Sequence, residues 1–265
     1  MVYIGYFFSV LIGVTLGLIG GGGSILTIPI LVYLFSVDAV SATAYSLFIV
    51  GVTSVVGSVN YFKHGWVNLR TLIFFGVPSI ISVFLTRAYL VPAIPKEIIT
   101  IGNFVLTKNV LMLLLFAVLM IAASYNMIKK SKIITEEPSP QQVLNYPIIF
   151  VEGAVIGMLT GFVGAGGGFL IIPALTFLFK LPMKEAVGTS LAIVAVNSLI
   201  GFIGESSETL IDWRLIGIVT SLAMLGIFIG IALSKKIEGA KLKPAFGWFV
   251  LVMGIYIIIK ETLFQ

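Results

Sequence analysis

The chain has no cysteine, one histidine, and only 10% charged residues among its 265. Without cysteine, disulfides, thiol catalysis and thiolate metal sites are excluded. A soluble domain carries about 25% charged residues, so a chain this poor in charge does not read as one. His64 lies in a polar stretch beside Lys63, and no His/Asp/Glu cluster with metal-ligand spacing accompanies it. Paired catalytic carboxylates are missing, as is a nucleophile next to a histidine. The expectation is a protein that is not an enzyme and that uses no metal and no cofactor.

Apolar residues make up 59% of the chain, in runs near membrane-spanning length. That predicts an all-α, multi-pass membrane protein whose surroundings are a lipid bilayer. The net charge of +5 is carried mostly in polar loops, which fits a membrane surface and gives no sign of nucleic acid. The first apolar run meets a glycine cluster with no small-residue cleavage site, so it reads as a mature membrane segment and not a removed signal peptide. The predicted spans are 3–35, split by glycines, then 41–61, 69–91 and 108–128. A polar linker follows at 129–146. The pattern then recurs as 147–179, again split, with 186–204, 214–234 and 243–260 after it. Residues 1–128 form a first transmembrane repeat and 147–265 a second.

Residues 17–29 read Gly17-Leu18-Ile19-Gly20-Gly21-Gly22-Gly23-Ser24-Ile25-Leu26-Thr27-Ile28-Pro29, and residues 161–173 read Gly161-Phe162-Val163-Gly164-Ala165-Gly166-Gly167-Gly168-Phe169-Leu170-Ile171-Ile172-Pro173. An ungapped offset of 144 pairs Gly20 with Gly164, Pro29 with Pro173, Ser46 with Ser190, Ser54 with Ser198, Asn68 with Asp212 and Arg70 with Arg214. Chance matching of small apolar residues does not account for prolines and arginines in register. Placing the lysines of the linker and of 235–243 in the cytoplasm puts each loop of one half opposite its counterpart in the other. This predicts two inverted repeats. Each split segment must then enter and leave on one side. Each repeat therefore contains a glycine-broken hairpin, with arms of roughly 16 residues and about 24 Å, plus three transmembrane helices.

A glycine break in lipid exposes backbone N–H groups that need a partner. A helix restarting near Ser24 or Gly168 has unpaired first-turn N–H groups and a favourable dipole for an anion. The candidate substrate-binding set is Gly20, Gly21, Gly22, Gly23 and Ser24 in one half, with Gly164, Gly166, Gly167 and Gly168 in the other. Close helix packing is the alternative use of such glycines. Neither cluster is followed by Lys-Ser/Thr, so a nucleotide phosphate loop is excluded. Ser46, Thr189 and Ser190 on the following helices would add uncharged donors, although Ser and Thr also bond back to their own helix. Arg70 and Arg214 open matching helices and are candidates for attracting or gating anions, against interfacial snorkelling. Arg87 is read as interfacial. Glu152 is a candidate for coupling proton movement, although its partner at the repeat offset is Phe8.

With the two Gly-rich runs ending in proline, and Ala186-Val187-Gly188-Thr189-Ser190-Leu191 in the helix after the second, the chain resembles the sulfite exporter TauE/SafE family of membrane permeases. The first half reads Ala42-Thr43-Ala44-Tyr45-Ser46-Leu47 and lacks the Gly-Thr-Ser triplet. The resemblance implies secondary transport of sulfite, sulfonates or related organic anions. The expected function is export of a small sulfur-containing oxyanion by alternating access across a cell (inner) membrane. A passive anion channel and an uptake permease for organic anions are the alternatives. The sequence leaves the oligomeric state open.

Overall fold

The computed structural model describes residues 2–101, 104–128, 146–179, 181–204, 211–234 and 239–263. Residues 129–145 of the expected linker, the charged loop 205–210, and Lys180, Lys235 and Lys236 lie outside them. Helix α1 (Val2–Ile19) is apolar throughout and ends at Gly20, whose φ of 72° and ψ of −140° only glycine adopts readily. A 3₁₀ helix (Gly21–Leu26) follows and passes into α2 (Thr27–Leu34). Pro29 falls in the first turn of α2, where a missing N–H costs no helical hydrogen bond. Phe35, just past α2, packs on Tyr6 near the start of α1, with ring centroids 5.5 Å apart. The segment therefore goes in and comes back, as the charge pattern requires.

Helix α3 (Ala39–Lys63) is capped by Asp38, which accepts from Ser41 N–H at 3.1 Å. Helix α4 (Leu69–Leu85) is capped by Asn68 and continues through a π turn (Thr86–Leu90) into α5 (Val91–Ala93). Strands β1 (Glu97–Ile101) and β2 (Phe104–Thr107) then pair antiparallel, where only a charged loop was expected. The run Glu97-Ile98-Ile99-Thr100-Ile101 is rich in β-branched residues, which favour strand over helix. Helix α6 (Lys108–Ile128) closes the first half. The second half comprises α7 (Tyr146–Val163), α8 (Gly168–Leu178), α9 (Met183–Ile203), α10 (Trp213–Ser234) and α11 (Gly239–Leu263). Among the described residues, five helices are long and apolar enough to cross a membrane.

The second hairpin departs from the expected equal arms, whereas in the first the 6-residue 3₁₀ helix adds to α2 and brings the two arms close in length. α1 and α7 have 18 residues each, whereas α2 has 8 and α8 has 11. Both glycine turns are buried.

The halves interlock by exchange. Gly13 and Gly17 of α1 press on the backbone of α10 at Ala223 and Ile227, while Gly157 and Gly161 of α7 press on α4 at Ser79 and Val83. All four pairs are related by the sequence offset. Gly57 meets Ile227 and Leu191, and its counterpart Gly201 meets Val83 and Leu47. The Asn68 N–H donates to Thr189 Oγ1 at 2.9 Å, and the Asp212 N–H donates to Tyr45 Oη at 2.9 Å. These last two bonds tie opposite ends of the bundle. At the Asp212–Tyr45 end Val40 N–H bonds Asn109 and Tyr33 bonds Glu261, so the mouth of the α1–α2 hairpin lies there. At the other end the Lys184 ammonium sits 5.0 Å from the Trp66 ring centre, and the second hairpin leads into α9 there. Helices α3 and α9 occupy the centre, packed on a cluster that includes Ile12, Leu16, Ile49, Leu191 and Ile227. Ile73, Val77 and Ile81 of α4 face outward and suit contact with lipid.

Candidate functional site

The two glycine breaks touch. A Cβ on Gly21 would fall on the Gly168 backbone, and one on Gly168 would fall on the Gly21 backbone. Gly20, Gly164, Gly166 and Gly167 all have positive φ, between 66° and 72°. In that conformation a side chain is strained, which explains why these turns are written in glycine. Gly20 lies against Val187 and Ser190 of α9; Gly164 lies against Thr43 of α3 and the Arg87 guanidinium. Thr43 and Val187 are counterparts at the repeat offset, so each turn docks on the other half at the matching place. Gly166 sits between Val50 and Val194, also counterparts, and beside Ser198 Oγ. Thr15 flanks Gly23 and Thr160 flanks Gly167. Gly22 lies within the 3₁₀ helix.

Helix α8 begins at Gly168, as the sequence predicts, with Gly167 in the left-handed region before it. The first break differs: its α-helix starts at Thr27 and not at Ser24, because the intervening 3₁₀ turn absorbs the glycines. Ser24 is buried within that turn and donates to Gly21 O at 2.7 Å.

The polar side chains of the central helices are buried, and several have no hydrogen-bond partner among the described residues. Ser46, Ser54, Thr160, Ser198 and Thr27 each leave a hydroxyl oxygen unpartnered. A buried polar atom left so costs about 1–3 kcal/mol, and such groups call for a ligand or a water. Ser54 and Ser198 are repeat counterparts. Asn197 donates to Ser79 Oγ at 2.7 Å and leaves its Oδ1 unpartnered.

Of the three hydroxyl donors expected from sequence, Ser46 has no hydrogen-bond partner among the described residues. Ser190 donates to Val187 O at 2.9 Å, and Thr189 Oγ1 accepts the Asn68 N–H. Ser190 nonetheless lies against Gly20, while Thr189 anchors the connection before α4. Arg70 and Arg214 are exposed near opposite ends of the bundle and do not approach the breaks. Glu152 is half-buried on α7 with Oε2 unpartnered. It precedes Gly164 by 12 residues, about 18 Å along a helix, and so stands apart from the glycine junction.

Arg87 is not interfacial. It is fully buried, the one charged side chain among the described residues that is. The π turn carries it inward, and Gly164 and Gly204 leave space for its guanidinium and its Cβ. A charge in an apolar run was the available signal. Its counterpart Ile231 gave no repeat support, so the repeat argument passed over it. Thr160 was missed for a related reason: a single hydroxyl in a helix is commonly bonded to its own backbone, and here it is not. Chemically, the junction offers amides, hydroxyls and one guanidinium, a set suited to an oxyanion.

Comparisons with known proteins point to a family of membrane transporters. The family model described as sulfite exporter TauE/SafE matches residues 6–257. A probable membrane transporter protein of Xylella fastidiosa is 30% identical over 265 residues, covering 94% of this chain and 91% of its own. A probable membrane transporter protein of Bacillus subtilis, YunE, is 28% identical over 247 residues, covering 86% and 87%. One from Methanocaldococcus jannaschii is 36% identical over 122 residues, covering 43% and 45%. No solved structure matches the chain significantly.

Proposed function

The chain belongs to the sulfite exporter TauE/SafE family, and from that premise we propose that it is a secondary transporter exporting a small sulfur-containing oxyanion, such as sulfite or an organosulfonate, across a cell (inner) membrane. The observation carrying this reading is the contact of Gly21 with Gly168, where two broken hairpins meet among buried hydroxyls that lack partners. Gly20, Gly21, Gly22, Gly23, Gly164, Gly166, Gly167 and Gly168 supply or shape backbone donors, and Ser46 adds a hydroxyl. Ser24 and Ser190, whose hydroxyls donate to Gly21 O and Val187 O, position the turns, and Thr189 holds the segment before α4. Exchange-related contacts and hairpins opening at opposite ends of the bundle support two inverted repeats. Rocking one unit on the other then exposes the junction to each side in turn. Cysteines placed at Phe35 and Leu181, in a chain otherwise free of thiols, are expected to react with an impermeant maleimide from opposite faces; reaction from one face contradicts the inversion.

The test is radiolabelled sulfite flux in proteoliposomes with an imposed ion gradient. Accumulation above the equilibrium level supports a coupled transporter. Equilibration without accumulation identifies a passive channel, and no flux of any oxyanion removes the reading.

A further inference from the structure

Serine and threonine inside a helix commonly bond back to a carbonyl of the preceding turn. Two residues of α3 do so: Thr53 donates to Ile49 O at 2.6 Å and Ser58 to Val55 O at 2.9 Å. Ser54, between them, does not. It is 0% exposed and its Oγ has no partner among the described residues; the same holds for Ser198 of α9, its counterpart at the repeat offset. Among the described residues, no other buried unpartnered hydroxyl is matched in this way. Thr27, Thr160 and Thr220 correspond to Ile171, Leu16 and Gly76, and Ser46 to Ser190, which bonds Val187 O. An unsatisfied buried hydroxyl costs free energy. Its presence at the same place in both halves calls for one ligand that both halves reach. The two serines lie where the central helices cross: a Cβ on Gly51 of α3 would meet Leu199 of α9 at 2.9 Å. The tip of the second hairpin rests on the same crossing. A Cβ on Gly166 would meet Ser198 Oγ at 2.6 Å, Val50 of α3 at 2.9 Å and Val194 of α9 at 3.0 Å. Val50 and Val194 stand one turn before Ser54 and Ser198 and are themselves counterparts, so the two-fold relation between the halves passes through this place.

We propose that Ser54 and Ser198 are the specificity-determining hydroxyls of the site, one from each repeat, and that the ligand is an anion with at least two oxygens, one held by each serine. This rests on the oxyanion reading above and names the side chains that act in it. A hydroxyl donates one hydrogen bond, so a single serine fixes one oxygen and leaves the anion free to turn. Two serines related by the local two-fold fix two oxygens, and with them the central atom at the crossing of α3 and α9. The first amides of α8, which begins two residues after Gly166, add donors from a third direction. Binding relieves a cost that the fold otherwise carries at both serines.

The experiment measures thermal stabilisation of the purified protein by methanesulfonate and by sulfite, on the native chain, Ser54→Ala, Ser198→Ala and the control Ser58→Ala. The native chain is expected to be stabilised. Ser54→Ala and Ser198→Ala are each expected to raise the anion concentration needed for half the shift by roughly tenfold, the worth of one hydrogen bond to a charged acceptor, and by similar amounts. Without anion, both variants are expected to melt at or above the native temperature, because alanine removes a buried hydroxyl that bonds nothing among the described residues. A serine with a structural role does not give that combination of a weaker response and an undiminished fold. Ser58→Ala, which loses the bond to Val55 O, should keep the native response. Folded variants with undiminished responses overturn the role of the two serines and leave the oxyanion reading standing. Loss confined to one variant overturns the two-sided contact. A variant that melts well below the native chain, or does not fold, shows a hydroxyl bonded within the fold and overturns the assignment too. No response of the native chain to either anion overturns the oxyanion reading together with this one.

Discussion

Gly21→Val is expected to abolish transport and to lower stability by more than the roughly 1–3 kcal/mol typical of an overpacked core. The reason is the neighbour. A side chain on residue 21 meets the backbone of Gly168, which has no rotamer to change. The only relief is to move one hairpin away from the other, which dismantles the junction. Gly168→Val should do the same. The double variant Gly21→Val/Gly168→Val should cost less than the sum, because the first substitution opens the space the second needs. Denaturation midpoints of the single and double variants measure this coupling. Strict additivity would show that the two breaks do not touch.

Gly164→Ala is expected to be nearly as damaging, for two separable reasons. Its φ of 71° strains any residue with a Cβ, a cost of about 1–3 kcal/mol. Its Cβ would also meet the Thr43 backbone and the Arg87 guanidinium. Loss of flux should therefore accompany loss of stability. Gly217→Ala is the matched control. Gly217 lies inside α10 with ordinary φ and nothing within 4 Å of an added Cβ. There alanine should be neutral or stabilise by roughly 0.5–1 kcal/mol. A melting series with flux measured on both variants checks the contrast, and equal behaviour would refute the assignment of Gly164 to the site.

Much of this arrangement was legible in the chain before any coordinates. The repeat offset that joins Gly13 to Gly157 and Asn68 to Asp212 also predicts which contacts recur, because a duplicated sequence packing on itself must make each contact twice. The hairpin form of 3–35 followed from charge alone: loops that must face one side cannot flank a single crossing. Helix limits were read to within a few residues for α4, α6 and α10, where polar residues bound the apolar run. Three features were hidden. The 3₁₀ turn before Thr27 depends on how successive glycines distribute their dihedrals, and glycine carries no preference to read. The strands β1 and β2 are short, and the isoleucines of β1 resemble the end of a membrane span. Arg87 looked interfacial because its depth is set by a π turn and by glycines from two other segments, Gly164 and Gly204, which no local pattern links to it.

The meeting of the two glycine breaks was legible more than the groups around it. The glycines were identified, and the structure brings Gly20, Gly21, Gly164, Gly166 and Gly168 to one region. The hydroxyls were harder, because whether a serine bonds its own helix or faces a ligand is decided by backbone carbonyl geometry. Ser190 went one way and Ser198 the other, although they are two turns apart on one helix face.

Amide hydrogen exchange, read by mass spectrometry with and without sulfite, tests the junction most directly because it reports on the backbone donors themselves. Binding should slow exchange together at 20–27 and at 164–171, with little change at the exposed ends near Arg70 and Arg214. Protection confined to one break, or appearing only elsewhere in the bundle, would contradict a single anion site shared by both hairpins.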